Sequence, residues 1–458
     1  MFLHCIIFTF KDRTETNFMK LLTFLIIALF ATHSSYSRNV VQSSMEKSAE
    51  LASEEEEMIE YRDHTYRDNI KTVQLYRNED QLSFPVLFLG GTDQLELHFD
   101  DLSTDFQIYN YTIVHCNADW TPSDLVVTEY LSNFFDGFIE DYKYSINTLF
   151  PYIHYTVGIP NNQVKFKLSG NYLLKVYANN NEEELLLTKR FYVVEKRVNI
   201  DTDIRMATMA RHRDYKQEVD FTINHSTYPI QDVYADLKVI ISQNRRWDNA
   251  ITDLKPLFIR SPELVYNYED KNLFNGDNEY RFFETRNLRY QSLNIDGIQI
   301  MSGKTHVFLL PEEPRSFKRY LFWPDINGKR RINRENSPMS DREGDYMVTH
   351  FSLKRENPML GGHIYVFGEL SDWEYKPEFK MKYVEANSAY ELTTTIKQGY
   401  YNYNYSFLPQ GETVGDLSTI EGTHSATNND YYIFVYHREN GMIYDKLIGF
   451  QIETINPQ

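Results

Sequence analysis

The sequence predicts an all-β protein built of tandem antiparallel β-sandwiches of immunoglobulin-like type, on three observations. Aromatic residues are abundant, with 35 Tyr and 30 Phe. Polar and apolar residues alternate with a period of two over many short segments, and clusters of Gly, Asn, Asp and Pro separate those segments where amphipathic helices would otherwise run. Successive strand side chains point to opposite faces, so such alternation marks a segment with one buried and one polar side.

The chain opens with an export pattern. Met19-Lys20 begins a short positive region, Leu21 to Ala31 is apolar, and Ser35-Tyr36-Ser37 offers a small-x-small cleavage site. Residues 1–37 therefore read as leader and signal peptide, with Met1 or Met19 as the start and Arg38 near the mature terminus. The apolar run is about half of the roughly 20 residues that a spanning helix needs, and no Cys follows it to take a lipid. Residues 38–65 form an acidic polar segment around Glu54 to Glu57. With Cys5 removed in the leader, Cys116 is the only thiol, so no internal disulfide forms and hydrophobic cores must carry the stability. A net charge of −18 excludes nucleic acid and anionic lipid as surface partners. A soluble, monomeric, exported protein without membrane insertion is expected.

Three β-rich segments follow. The first, residues 66–197, carries strands at Gln94 to Phe99, Phe106 to Cys116, Tyr142 to Asn147, His154 to Ile159, Tyr172 to Tyr177 and Leu185 to Val194. Gly90-Gly91, Asp100-Asp101, Pro160-Asn161-Asn162 and Asn179-Asn180-Asn181 supply its turns. The second, 198–341, has strands expected at Glu218 to Asn224, Ala235 to Ile241, Glu279 to Arg286 and Thr305 to Leu310. Its long connections hold Trp247, Pro256, Pro262, Pro311, Pro314 and Pro324. Such connections commonly make contacts with other molecules. Arg330 to Gly344 reads as a linker or mobile loop. The third segment, 342–458, runs from Tyr346 to Leu353 through His363 to Glu369, Tyr390 to Ile396, Tyr400 to Phe407 and Tyr431 to Tyr436 to Leu447 to Ile452. In Tyr401-Asn402-Tyr403-Asn404-Tyr405-Ser406-Phe407 every second residue is aromatic, predicting one buried and one polar face.

Motifs that would carry chemistry are incomplete. Gly303-Lys304-Thr305 ends like a phosphate-binding loop, but Ile298 stands where its first glycine belongs and a strand follows in place of a helix. Asp325-Ile326-Asn327-Gly328 opens like a calcium loop and then places Lys329 and Arg330 at a ligand and at the turn glycine, leaving a tight turn. His115 and Cys116 are strand neighbours facing opposite ways, so Cys116 reads as a small core residue. No GxSxG, HExxH or paired Cys/His spacing occurs. The expectation is a noncatalytic protein with no cofactor and no metal.

Two resemblances extend this reading. Gly368-Glu369-Leu370-Ser371-Asp372-Trp373, with Met381, Tyr390 to Leu392 and Gly399 to Tyr403, resembles the early-set sandwich of glycogen-binding modules. There a Trp at the place of Trp373 stacks on sugar with a second Trp, but Leu408 to His424 holds no Trp, which favours packing for Trp373. The wider resemblance rests on Ile70 to Tyr76, His115-Cys116-Asn117-Ala118-Asp119-Trp120, Trp247 to Ile251 with Leu254-Lys255-Pro256, Arg289-Tyr290-Gln291-Ser292, and Glu313 to Phe317 with Asp325 to Gly328. These blocks resemble the plug protein of the Bacteroidetes type IX secretion system. That resemblance implies a soluble periplasmic protein that closes the inner mouth of the giant outer-membrane translocon barrel, called SprA or Sov, and that has no catalytic residues. Trp120 and Trp247, with Arg245 and Arg246, are the expected partner-binding residues, because Trp and Arg dominate interface energetics. The alternative is a periplasmic or surface glycan-binding protein using Trp373.

Overall fold

Strand formation follows the sequence alternation closely. The computed structural model describes residues 59–103, 105–132 and 136–455, so the leader at 1–37 and most of the acidic segment at 38–65 lie outside the described residues. Nearly all regular structure is β, in six sheets that pack pairwise into three sandwiches. Among the described residues no helix is long and apolar enough to cross a membrane.

The first sandwich packs a sheet ordered His64–Thr65, Leu185–Val194, Gly170–Ala178, Tyr109–Cys116 and Gly137–Phe138 against one ordered Ile70–Arg77, Leu95–Asp101, Ile153–Ile159 and Asp141–Tyr144. Leu95, Leu97, Phe99, Ile153, Tyr155, Tyr172, Leu174 and Phe191 fill the space between them. Cys116 is buried here, and burial pushes its thiol up to about 12, as expected of an inert core residue rather than a nucleophile.

The second sandwich joins distant parts of the chain. One sheet holds Asn199–Met206, Lys216–Asn224, Glu263–Tyr266 and Phe258–Arg260. The other orders Arg246–Ile251, Leu237–Gln243, Asn429–His437 and Lys446–Ile455, with Leu237 opposite His437 and Gln243 opposite Tyr431. Val219, Phe221, Ile241, Ile433, Val435 and Ile448 form the shared core. The third sandwich lies between in sequence. It packs Arg281–Glu284, Gly399–Pro409, Arg330–Ile332 and Gly362–Phe367 against Ile295–Met301, Lys304–Leu309, Tyr346–Lys354, Ala389–Lys397 and Lys382–Val384.

This topology corrects the expected boundary between 198–341 and 342–458. The C-terminal hairpin completes the second sandwich, and the third is inserted between residues 275 and 429. Pairing between strands so far apart in sequence leaves no local trace.

Two further expectations change. Arg330 to Gly344 is not a linker: Arg330–Ile332 pairs with Gly399 to Tyr401, and Ile332 is buried. Nor is the second face of Gly399–Pro409 wet. Tyr401, Tyr403 and Tyr405 enter the third core, while Asn402, Asn404 and Ser406 are also fully buried, the two amides under a loop described below and Ser406 beside the Tyr375 hydroxyl. Asn402 and Asn404 accept hydrogen bonds from that loop and so fasten it.

Candidate functional site

The residues expected to meet a partner instead join the three sandwiches to one another. Trp120 is 5% exposed. Its ring meets Trp247 edge-on at 6.1 Å and Tyr192 at 5.4 Å, and the Arg190 guanidinium lies over it at 4.2 Å. Trp247 is half-buried and packs on Phe434 of the second sandwich. Arg245 donates to the carbonyls of Leu82 and Ser83 in the first sandwich at 2.7 and 2.9 Å and pairs with Glu369 of the third at 3.4 Å. Arg246 is buried, binds Asp248 through two nitrogens at 2.9 and 2.7 Å, and covers Phe367 of the third sandwich at 5.3 Å. Burial alone would lower the Arg246 pKa, but Asp248 more than offsets this and holds it well above its ordinary value.

The three residues Arg245, Arg246 and Trp247 thus occupy a three-way junction. The expectation that they and Trp120 form exposed loop contacts is overturned. Aromatic and guanidinium groups that suit an interface between proteins suit a seam within one equally well. Trp120 also adopts φ 67°, a left-handed conformation unfavourable for a bulky side chain, and the packing around it holds that backbone in place. Trp120→Ala is expected to cost about 3–5 kcal/mol in denaturant unfolding. A residue on a free surface would change stability by no more than about 0.5 kcal/mol.

Trp373 has a similar internal task. Its ring stands edge-on to Tyr280 and Phe367, at 6.1 and 6.0 Å, and over Gly328. A Cβ at Gly328 would come within 2.2 Å of the indole, and the residue has φ +77°, so glycine is required twice over. The cavity lined by Trp373, Trp247 and Arg190 measures about 100 Å³, below the ~300 Å³ at which ligand pockets begin.

The remaining seams are charged. Lys397 binds Asp100 across the first and third sandwiches at 2.6 Å, with both side chains buried and Tyr346 donating to the same carboxylate at 2.6 Å. Arg330 donates to the Val73 carbonyl at 2.7 Å. Between the second and third, Lys329 pairs with Asp430 at 2.7 Å and Tyr375 donates to Asp248 at 3.1 Å. On the other side, Ala118 N donates to Asp445 at 2.9 Å and Tyr436 to Asn171 at 2.8 Å. Buried ionic networks of this kind fix relative placement more than they add net stability.

Several exposed apolar side chains stand on the connection from Leu310 to Ile326, which forms no helix or extended strand. Phe317 is 76% and Leu321 68% exposed, and Phe322 is also exposed. This loop is nevertheless firmly held. Arg315 is buried, donating to Glu421 at 2.7 Å, to the Glu279 carbonyl at 2.8 Å and to Asn404 at 3.2 Å. Trp323 donates to the Tyr280 carbonyl at 2.9 Å, and Tyr320 to Ala426 at 2.9 Å. Asn402 accepts from Ile326 N at 2.6 Å. Asp325 accepts from Tyr280 N and Asn327 N, while burial pushes its carboxyl up to about 7. The buried polar face of Gly399–Pro409 is thus the seat of the loop. Leu310 N donates to Asn294 O at 3.0 Å, so the loop adjoins a second one on which Tyr290 and Leu293 stand exposed. Phe317, Leu321 and Phe322 thus stand in water on a firmly held frame. The sequence signal was the run of prolines at 311, 314 and 324; the exposure of Phe317, Leu321 and Phe322 had no periodicity to announce it.

Residues 70–195 match the family described as "Type 9 secretion system plug protein 1st domain". No curated protein matches the chain. Among solved structures, a hypothetical protein from Parabacteroides merdae ATCC 43184 is 35% identical, with a TM-score of 0.85 over 87% of this chain and 100% of that one. The matched span is the first sandwich, and the crystallised relative extends the likeness over the others, so the chain belongs to the type IX secretion system plug protein family.

Proposed function

We propose that this protein is a noncatalytic periplasmic plug that closes the outer-membrane translocon of type IX secretion by protein–protein contact. The match of residues 70–195 to the plug family carries the reading, and the architecture is suited to it. Closing a wide pore needs a stiff body, and three sandwiches locked by the Arg245–Trp247 junction and the Lys397–Asp100 bridge provide one. Plugging must also be reversible. A modest apolar patch on a polar body gives a wet interface that releases, unlike a large greasy one. In this reading Phe317, Leu321 and Phe322 meet the periplasmic rim of the barrel, the protein acts as a monomer, and no bond is made or broken.

Burying a Phe or Leu contributes about 1.5–3 kcal/mol, which corresponds to about tenfold or more in affinity per side chain. The combined variant Phe317→Ser, Leu321→Ser, Phe322→Ser is expected to fold normally and to lose at least about tenfold of the translocon co-isolated with the tagged protein. Undiminished co-isolation would remove this loop from the contact.

A further inference from the structure

The polar face of the second sheet in the first sandwich brings together a group of donors that no local motif contains. Strands Leu95–Asp101 and Ile153–Ile159 pair with His98 opposite Thr156 and Asp100 opposite His154, so the two histidines are diagonal neighbours on one face. His98 Nδ1 stands 3.0 Å from His154 Nε2. Both residues are buried. The helical turn Ser340–Glu343 adds the carboxylate of Asp341, and the three ligand atoms lie within 4.8 Å of one another. Asp341 is pinned there, since its carbonyl accepts from Lys397 Nζ at 2.7 Å and Tyr152 OH at 3.0 Å.

The outer nitrogens decide what the inner ones can do. His154 Nδ1 faces Asp100 Oδ1 at 2.7 Å, and His98 Nε2 faces Glu96 Oε2 at 3.4 Å. A carboxylate can only accept, so His154 places its N–H on the outer side and its lone pair on the inner side, and His98 does the same in the tautomer that donates to Glu96. Two lone pairs then confront each other at 3.0 Å beside a third anionic donor. A cation between them satisfies that arrangement. Two ~2.05 Å metal–nitrogen bonds at a tetrahedral centre hold their nitrogens about 3.3 Å apart, near the separation seen. Carboxylates behind ligating histidines are the usual outer support of such centres. Tyr76 stacks on the His98 ring at 4.8 Å and fixes its plane.

We propose that His98, His154 and Asp341 bind one divalent first-row transition cation of the zinc class, with Glu96 and Asp100 orienting the two imidazoles. Imidazole donors select this class over calcium or magnesium. Three protein ligands leave a position for water, and Asp341 is only half-buried, which provides access. The ion ties the first sandwich to the segment that leads into the third, adding a metal clasp beside the Lys397–Asp100 bridge.

The test is calorimetric titration of the chelator-stripped protein with Zn2+, alongside Co2+ loading read by visible absorption. The expected result is one equivalent bound at micromolar affinity or better, a visible cobalt spectrum, and a higher melting temperature with metal. Asp341→Asn and His98→Gln should each weaken binding about 100-fold, and Glu96→Gln about tenfold, with the circular dichroism spectrum retained. A second histidine pair, His306 and His350, with nitrogens 2.9 Å apart and, among the described residues, no carboxylate completing a third ligand, is the control. Absence of saturable binding at millimolar Zn2+ would overturn the proposal, leaving a shared proton between the rings. So would affinity that survives both Asp341→Asn and His98→Gln, or that falls instead in His306→Gln.

Discussion

Replacing Glu421 with alanine is expected to destabilise the protein by about 3–5 kcal/mol and to release the exposed apolar loop. Glu421 is fully buried and bridges two buried guanidiniums, Arg281 at 2.9 Å and Arg315 at 2.7 Å, while accepting from Tyr405 N at 2.9 Å. Its loss leaves two arginines in the interior with only Glu312 and carbonyls for compensation. Arg315 is also the central anchor of the loop bearing Phe317, Leu321 and Phe322, so proteolysis of that loop should accelerate in the variant. Equilibrium unfolding with limited proteolysis checks both effects. A change under about 1 kcal/mol would contradict the role assigned to the hub.

The hub also sets an acid limit. Burial raises the Glu421 pKa, but Arg281 and Arg315 outweigh burial and hold it below its ordinary value. Its contribution is therefore complete above the unfolded pKa of about 4.3 and is lost as pH falls through the lower folded value.

Lys397→Met is the second large effect, again about 3–5 kcal/mol, because it strands the Asp100 carboxylate. In the native protein burial raises the Asp100 pKa, and Lys397 and His154 reverse that shift to a net lowering. Without Lys397 burial dominates. The gap between wild type and variant should then be widest above the raised pKa of Asp100 in the variant and narrow as pH falls through it, because protonation removes the stranded charge. Asp100→Asn combined with Lys397→Met should recover part of the loss, as removing both charges costs less than removing one. Stability measured across pH for the three proteins tests this. A gap independent of pH would contradict it.

What the sequence disclosed was local. Leu185 to Val194 has the bounds expected of it, and the Tyr-Asn alternation after Gly399 marked the strand that enters the third core. Both rest on the period-two rule, which operates within one strand. The pairing of Leu237–Gln243 with Asn429–His437 lay beyond that rule, as did the meeting of His98, His154 and Asp341. Burial of Asn402, Asn404 and Ser406 was hidden for a different reason. Polar residues normally signal solvent, and here Asn402 and Asn404 accept from a loop above them while Ser406 meets the Tyr375 hydroxyl. The same ambiguity turned Trp120, Arg245, Arg246 and Trp247 into expected surface contacts when they are the joint of the molecule. Phe317, Leu321 and Phe322 were overlooked because exposure of an apolar side chain is a property of the frame around it.

The most direct measurement is outer-membrane permeability to a large, normally excluded solute in cells lacking this protein, restored with either the native chain or the Phe317→Ser, Leu321→Ser, Phe322→Ser form. A pore plug predicts a leaky membrane on deletion, sealed again by the native chain and left leaky by the folded variant. A membrane that stays tight without the protein would contradict the account.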